Sequence, residues 1–198
     1  MNLANKLTIS RIILTFVFMC FFFMKALVFS YLALLAFMLA ALTDYYDGKI
    51  ARGRNQVTTL GKLLDPIADK ILMLSAFLAF VEKGLVPAWM VVMIITRELV
   101  ITGIRLIAAT NGKVIPAEKG GKHKTVSQVV AIFIILAYVA VRDTILALNP
   151  SYLPARFAFF TDISIYLLML ITVALTLASG ISFLWHNRNL ILIDGNNG

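Results

Sequence analysis

From Ile12 to Thr43 the sequence carries a single charged side chain, Lys25. So long an apolar run leaves few ways to fold, because its surface must be kept from water. As one helix it would reach about 48 Å at about 1.5 Å per residue, against a bilayer core of about 30 Å. The run must therefore break, and Lys25 marks the place. The same reading along the chain predicts spans at about 8–24, 28–51, 61–81, 86–109, 125–141 and 163–185. Residues 1–11, MNLANKLTISR, are polar enough to lie at a membrane surface as a short interfacial segment, with Asn5, Thr8 and Arg11 at helical spacing. The predicted fold is all-α: an integral membrane bundle of six transmembrane helices, one membrane-embedded domain over residues 1–198.

Composition agrees. Hydrophobic residues make up 61% and charged residues 14% of the 198, against roughly 45–50% and about 25% in soluble domains. The net charge of +8 does not point to nucleic acid, because the basic residues sit in short connections between apolar runs, where they set topology and attract anionic lipid. One cysteine, Cys20, excludes an intrachain disulfide, and His123 and His186 are too few for a histidine-rich metal site. Six spans put both termini on one side. That side collects Lys6, Arg11, Lys49, Arg52, Arg54 and Lys62 among others, whereas the opposite connections offer Lys25, Lys83, Arg142 and Arg156. The positive-inside rule makes the first side cytoplasmic.

The chemistry is concentrated where the second and third spans meet. Asp44-Tyr45-Tyr46-Asp47-Gly48-Lys49-Ile50-Ala51-Arg52 is followed by a polar connection and by Gly61-Lys62-Leu63-Leu64-Asp65-Pro66-Ile67-Ala68-Asp69. Helical spacing puts Asp44 and Asp47 on one face of one helix, and Asp65 and Asp69 on one face of the next. Four carboxylates in an apolar chain repel one another and resist desolvation, so they call for cations. Hard oxygen ligands without cysteine or histidine select Mg²⁺ or Mn²⁺, and a pair of such ions is the clamp used in phosphoryl chemistry. Gly48 removes a side chain where a ligand would approach the backbone, Ala51 leaves room, Arg52 offers a fork suited to phosphate, and Gly61 opens the facing helix. Any one aspartate can instead be read as the partner of Lys49, Arg52 or Lys62. Pro66 is expected to bend its helix or to sit in its first turn.

The pattern Asp44-x-x-Asp47-Gly48-x-x-Ala51-Arg52, eight residues, Gly61-x-x-x-Asp65-x-x-x-Asp69 resembles the signature of the CDP-alcohol phosphatidyltransferases with no position missing. Asn5-x-Leu7-Thr8-x-x-Arg11 is similar to the opening segment of bacterial members. Gly121-Lys122-x-Lys124-Thr125-x-x-Gln128 is similar to members that use sn-glycerol 3-phosphate. The resemblance implies two divalent cations, Mg²⁺ or Mn²⁺, held by Asp44, Asp47, Asp65 and Asp69, with Asp69 also the base. It implies that the CDP moiety lies against Gly48, Ala51, Arg52 and Gly61, with Asn5 and Thr8 nearby. The implied reaction joins CDP-diacylglycerol and sn-glycerol 3-phosphate to give phosphatidylglycerophosphate and CMP, in a bacterial cell membrane, by a homodimer whose active site faces the cytoplasm. Inositol phosphate, serine and phosphatidylglycerol are the alternative acceptors. An ion transporter is the rival class, but it would want its carboxylates near the midplane.

The second substrate is read from the later spans. Arg97 and Arg105 are eight residues apart, about 80° round a helix, and Lys122, Lys124 and Thr125 open the fifth span at the same level. These residues are expected to form a phosphate pocket, chiefly through Arg105 and Lys122. In the alternative, Arg97 neutralises Glu98 and the lysines serve only topology or anionic lipid.

Overall fold

The structure, a computed structural model, describes the backbone of residues 3–54, 59–110, 119–149 and 155–188; within these ranges the side chains of 3–7, 44–54, 59–67, 69, 110, 119–123 and 155–158 lie outside the description. Six helices follow one another: α1 Leu3–Phe23, α2 Leu27–Arg54, α3 Thr59–Glu82, α4 Ala88–Thr110, α5 Lys119–Leu148 and α6 Ala155–His186. No strand occurs among the described residues. The chain is thus an all-helical membrane bundle, as expected. The break between α1 and α2 falls at residues 24–26, beside Lys25.

Several helices outrun the apolar spans they contain. α5 begins at Lys119 rather than near 125 and continues to Leu148, and α6 begins at Ala155 rather than near 163. Hydropathy marks the part facing acyl chains. The helices run on past it to ends outside the hydrocarbon core, where water and head groups can satisfy the terminal N–H and C=O groups. The N-terminal polar segment likewise runs straight into α1, and Thr8 and Arg11 in its early turns are buried. Pro66 is the eighth residue of α3, which continues past it to Glu82.

Each helix buries a stripe at heptad-like spacing. On α1 it is Thr8, Arg11, Thr15, Phe18 and Phe22; on α2 it includes Ser30, Ala33, Phe37 and Ala40. Alanine on α2 lets the large rings of α1 come close, and Phe18 meets Phe37 with ring centroids 5.7 Å apart. Contacts between neighbours close a ring in the order α1, α2, α5, α6, α4, α3 and back to α1, with α3 also reaching across to α5. The outer surface is apolar. Phe16, Leu106, Phe160, Ile181 and Trp185 are each more than 60% exposed, which acyl chains cover in a bilayer and water would not tolerate. Among the described residues, Lys124–Leu148 and Phe159–His186 are each long and apolar enough to cross a membrane.

The turn from α3 to α4 needs its glycine. Gly84 has φ 69°; its N–H bonds to Val81 O at 2.9 Å, and the Leu85 N–H bonds to Phe80 O at 2.9 Å. That pair of bonds is the Schellman ending, whose left-handed position favours a residue without a Cβ.

Candidate active site

Helices consecutive in sequence run antiparallel, which brings the starts of α1, α3 and α5 to the same end of the bundle as the ends of α2, α4 and α6. Side-chain contacts tie that end together: Lys70 on α3 to Thr102 on α4, Glu98 on α4 to Lys124 on α5, Gln128 on α5 to Thr176 on α6, and Arg97 on α4 to Ser179 on α6. This end also buries polar groups. Thr8, Arg11, Arg97, Lys124 and Gln128 are all buried, a costly placement that natural membrane helices keep for function.

Both aspartate pairs belong to helices. Asp44 and Asp47 are one turn apart on α2, Asp65 and Asp69 one turn apart on α3. Their side chains, with those of Asn5, Gly48, Ala51, Arg52, Gly61 and Lys122, lie outside the described residues. Their register is informative all the same. Positions 44 and 47 continue the buried stripe of α2 that runs through Ala33, Phe37 and Ala40, at steps of three and four. Positions 65 and 69 stand four apart in a series that continues through Met73 and Phe77, and both of these residues line a cavity between α3, α4 and α5.

That cavity, which is open to the outside, has one apolar wall, which includes Met73, Phe77 and Ile94, and a polar wall of Lys70, Glu98, Lys124, Thr125 and Gln128. Lys70 directly follows Asp69, so the cavity opens beside the carboxylate segment. The Glu98 carboxylate joins two cations through one oxygen: Arg97 Nη1 lies 3.2 Å from Oε1, and Lys124 Nζ bonds to the same atom. Arg97 Nη2 donates to Ser179 Oγ at 2.9 Å. Gly180, the next residue on α6, leaves the space that the Arg97 stem occupies, since a Cβ there would stand 2.9 Å from Arg97 Cγ. Gln128 Nε2 donates to Thr176 Oγ1 at 3.2 Å. Pairing Glu98 with cations offsets the desolvation of all three groups, and removing one partner would leave a buried charge exposed to that penalty.

The expected phosphate-binding residues are therefore divided. Lys124 and Thr125 stand on the cavity wall, and Arg97 sits behind Glu98 as its partner. Arg105 is exposed and lies over the Phe183 ring, 5.2 Å from its centroid; it is not among the residues that line the cavity. Thr8 is fully buried on α1. Sequence reasoning did not bring out Glu98 as a hub, Lys70 and Gln128 as wall residues, or Ser179 and Gly180 as the cradle of Arg97. A glutamate beside an arginine inside an apolar span was the available signal for Glu98. Nothing in the pattern of α6 marked its serine and glycine. Among the described residues no group of histidine, cysteine, aspartate and glutamate could hold a metal ion; the four aspartates are outside that set.

The profile of the CDP-alcohol phosphatidyltransferase family matches residues 1–187. The chain is 40% identical over 149 residues to the CDP-diacylglycerol–glycerol-3-phosphate 3-phosphatidyltransferase of Bacillus subtilis, covering 69% of this chain and 77% of that protein. It is 42% identical over 134 residues to the probable phosphatidylglycerophosphate synthase of Mycobacterium tuberculosis, covering 66% of this chain and 64% of that protein. To the CDP-diacylglycerol–glycerol-3-phosphate 3-phosphatidyltransferase of Rickettsia typhi it is 36% identical over 135 residues, covering 68% and 76%. With a match over nearly its whole length, and the two aspartate segments on consecutive helices at the polar end of the bundle, the chain belongs to the CDP-alcohol phosphatidyltransferase family.

Proposed function

We propose that this chain transfers the phosphatidyl group of CDP-diacylglycerol to sn-glycerol 3-phosphate, releasing CMP and forming phosphatidylglycerophosphate. The observation that carries this reading is the cation-bearing cavity that opens one residue past Asp69, on the same face of α3 as Asp65 and Asp69. The names of the bacterial relatives support the same acceptor.

In the reaction, the acceptor hydroxyl oxygen bonds to the phosphorus that carries diacylglycerol. The bond from that phosphorus to the bridging oxygen breaks, and its electron pair leaves with CMP. Asp69 takes the hydroxyl proton. The donor set at 44, 47, 65 and 69 is all carboxylate, two positions on α2 and two on α3, which fits two hard divalent cations, Mg²⁺ or Mn²⁺. Bound there, they would supply positive charge to the diphosphate. Gly48, Ala51, Arg52 and Gly61, with Asn5 and Thr8, hold the CDP moiety; the acyl chains stay against the apolar outer surface. Lys124 and Thr125 hold the acceptor phosphate from the cavity wall. Lys122 lies two residues earlier on α5, and Arg105 contributes long-range positive charge at the same end. Burying a phosphate dianion needs such cations, and a neutral acceptor does not.

The chain works as one domain over residues 1–198, as a homodimer in the bacterial cell membrane, with this end and both termini facing the cytoplasm. Glycerol phosphate and CMP are water-soluble, so the reaction belongs at that surface. The test is CMP release by purified protein given CDP-diacylglycerol, Mg²⁺ and single acceptors. We expect sn-glycerol 3-phosphate to be used best; preferred use of serine or inositol phosphate overturns the assignment.

A further inference from the structure

The Glu98 carboxylate uses only one of its oxygens. Arg97 and Lys124 both donate to Oε1, whereas Oε2 makes no hydrogen bond among the described residues. An ionised carboxylate has about four lone-pair sites, so acceptor capacity is left over in a side chain that lines the cavity. The neighbours on that wall are already engaged. Gln128 Nε2 donates to Thr176, Lys70 to Thr102, and Lys124 to Glu98 itself. Arg97 is fixed from behind by Ser179 and by the close approach of Gly180, so the carboxylate is held in place on the cavity wall.

An open carboxylate oxygen repels a phosphate and attracts an O–H donor. The wall therefore offers two kinds of recognition side by side: cations for an anionic group, and a fixed anionic acceptor for a hydroxyl. A ligand that satisfies both carries a phosphate at one end and a free hydroxyl a few bonds away. Glycerol 3-phosphate has two hydroxyls, of which one attacks and one does not. We propose that Glu98 Oε2 accepts a hydrogen bond from the acceptor hydroxyl that does not react, so that the cavity selects a polyol phosphate over a phosphorylated simple alcohol. This assignment rests on the phosphorylated-acceptor reading above and adds to it a specificity-determining residue on α4.

The experiment compares sn-glycerol 3-phosphate with 3-hydroxypropyl phosphate, which keeps the phosphate and the attacking hydroxyl and lacks the middle one. CMP release by the purified full-length protein is followed with each. The unaltered protein should lose roughly 10- to 100-fold in kcat/KM with the analogue, as expected when a hydrogen bond to a charged group goes unmade. Glu98→Gln keeps one oxygen for Arg97 and Lys124 and replaces the other with an amide N–H, which can only donate a weaker, neutral bond to the hydroxyl oxygen, so the preference should narrow several-fold. Glu98→Asp, which withdraws the carboxylate by one methylene, should also narrow it and serves if the amide destabilises the bundle. The proposal is overturned if the unaltered protein treats both substrates alike. It is equally overturned if either variant lowers both by the same factor, which would leave Glu98 only as the holder of Arg97 and Lys124. Equal use of glycerol and sn-glycerol 3-phosphate would instead overturn the phosphorylated-acceptor reading, and the hydroxyl preference would then be read from glycerol against 1,3-propanediol.

Discussion

The two ends of the bundle use the same residue types to opposite effect. At the end opposite the cavity, Lys83 reaches over the rings of Phe22 and Phe23, 5.9 and 5.6 Å from their centroids, and Arg142 pairs with its own neighbour Asp143 at 3.2 Å. Adjacent residues of α2 join adjacent residues of α5, Ser30 to Asp143 and Tyr31 to Thr144. Lys83 and Tyr31 are exposed, and the Arg142–Asp143 pair is partly so. At the cavity end, by contrast, Arg11, Arg97 and Lys124 are inside the bundle. Charge at a wet surface is cheap and stabilises little. Charge taken into the bundle is expensive, and it must be matched by other groups or by a ligand. The first end staples helices together; the second holds its helices around a space.

Substitutions at both ends would test that contrast. The largest effect is expected at Asp69, where Asn should lower CMP release by at least about 100-fold and leave CDP-diacylglycerol binding measurable; Asp44→Asn should weaken both. Retained turnover in Asp69→Asn, or full turnover in excess chelator, would detach the chemistry from the aspartate segments.

Gly180→Ala should come next. Its methyl would meet Arg97 Cγ at 2.9 Å, so the arginine and the Glu98 carboxylate must shift. We expect kcat/KM for sn-glycerol 3-phosphate to fall by about 10-fold, with the apparent KM for CDP-diacylglycerol little changed. An equal loss for both substrates would mean that α6 supports the bundle rather than the acceptor site.

At the far end, Asp143→Asn should leave turnover unchanged and cost about 1 kcal/mol of stability through the weakened bond to Ser30, read from thermal unfolding in detergent. The smallest effect belongs to Lys83→Ala, about 0.5–1 kcal/mol for the lost ring contacts, again with normal CMP release. Loss of turnover in either variant would erase the distinction between the ends.

The sequence alone determined the class of solvent and the number of helices, and it singled out the two aspartate segments as the candidate site, because each of these rests on local pattern. A run such as Ile12–Thr43 must be helical in a bilayer wherever it packs, and Asp65 and Asp69 share a face on any helix. Lys25 marked the first break for the same reason. What the tertiary structure alone decided is which helices meet and which charges find each other. Arg97 and Arg105 are related by helical angle, yet one is buried against Glu98 and the other lies exposed over Phe183. The pairing of Glu98 with Lys124 spans 26 positions, and that of Arg97 with Ser179 spans 82. Such partners are set by the ring order of the helices, a global result of packing Phe18 on Phe37 and fitting Arg97 against Gly180. Helical periodicity says which face a residue takes, and only the neighbouring helix says what that face will touch.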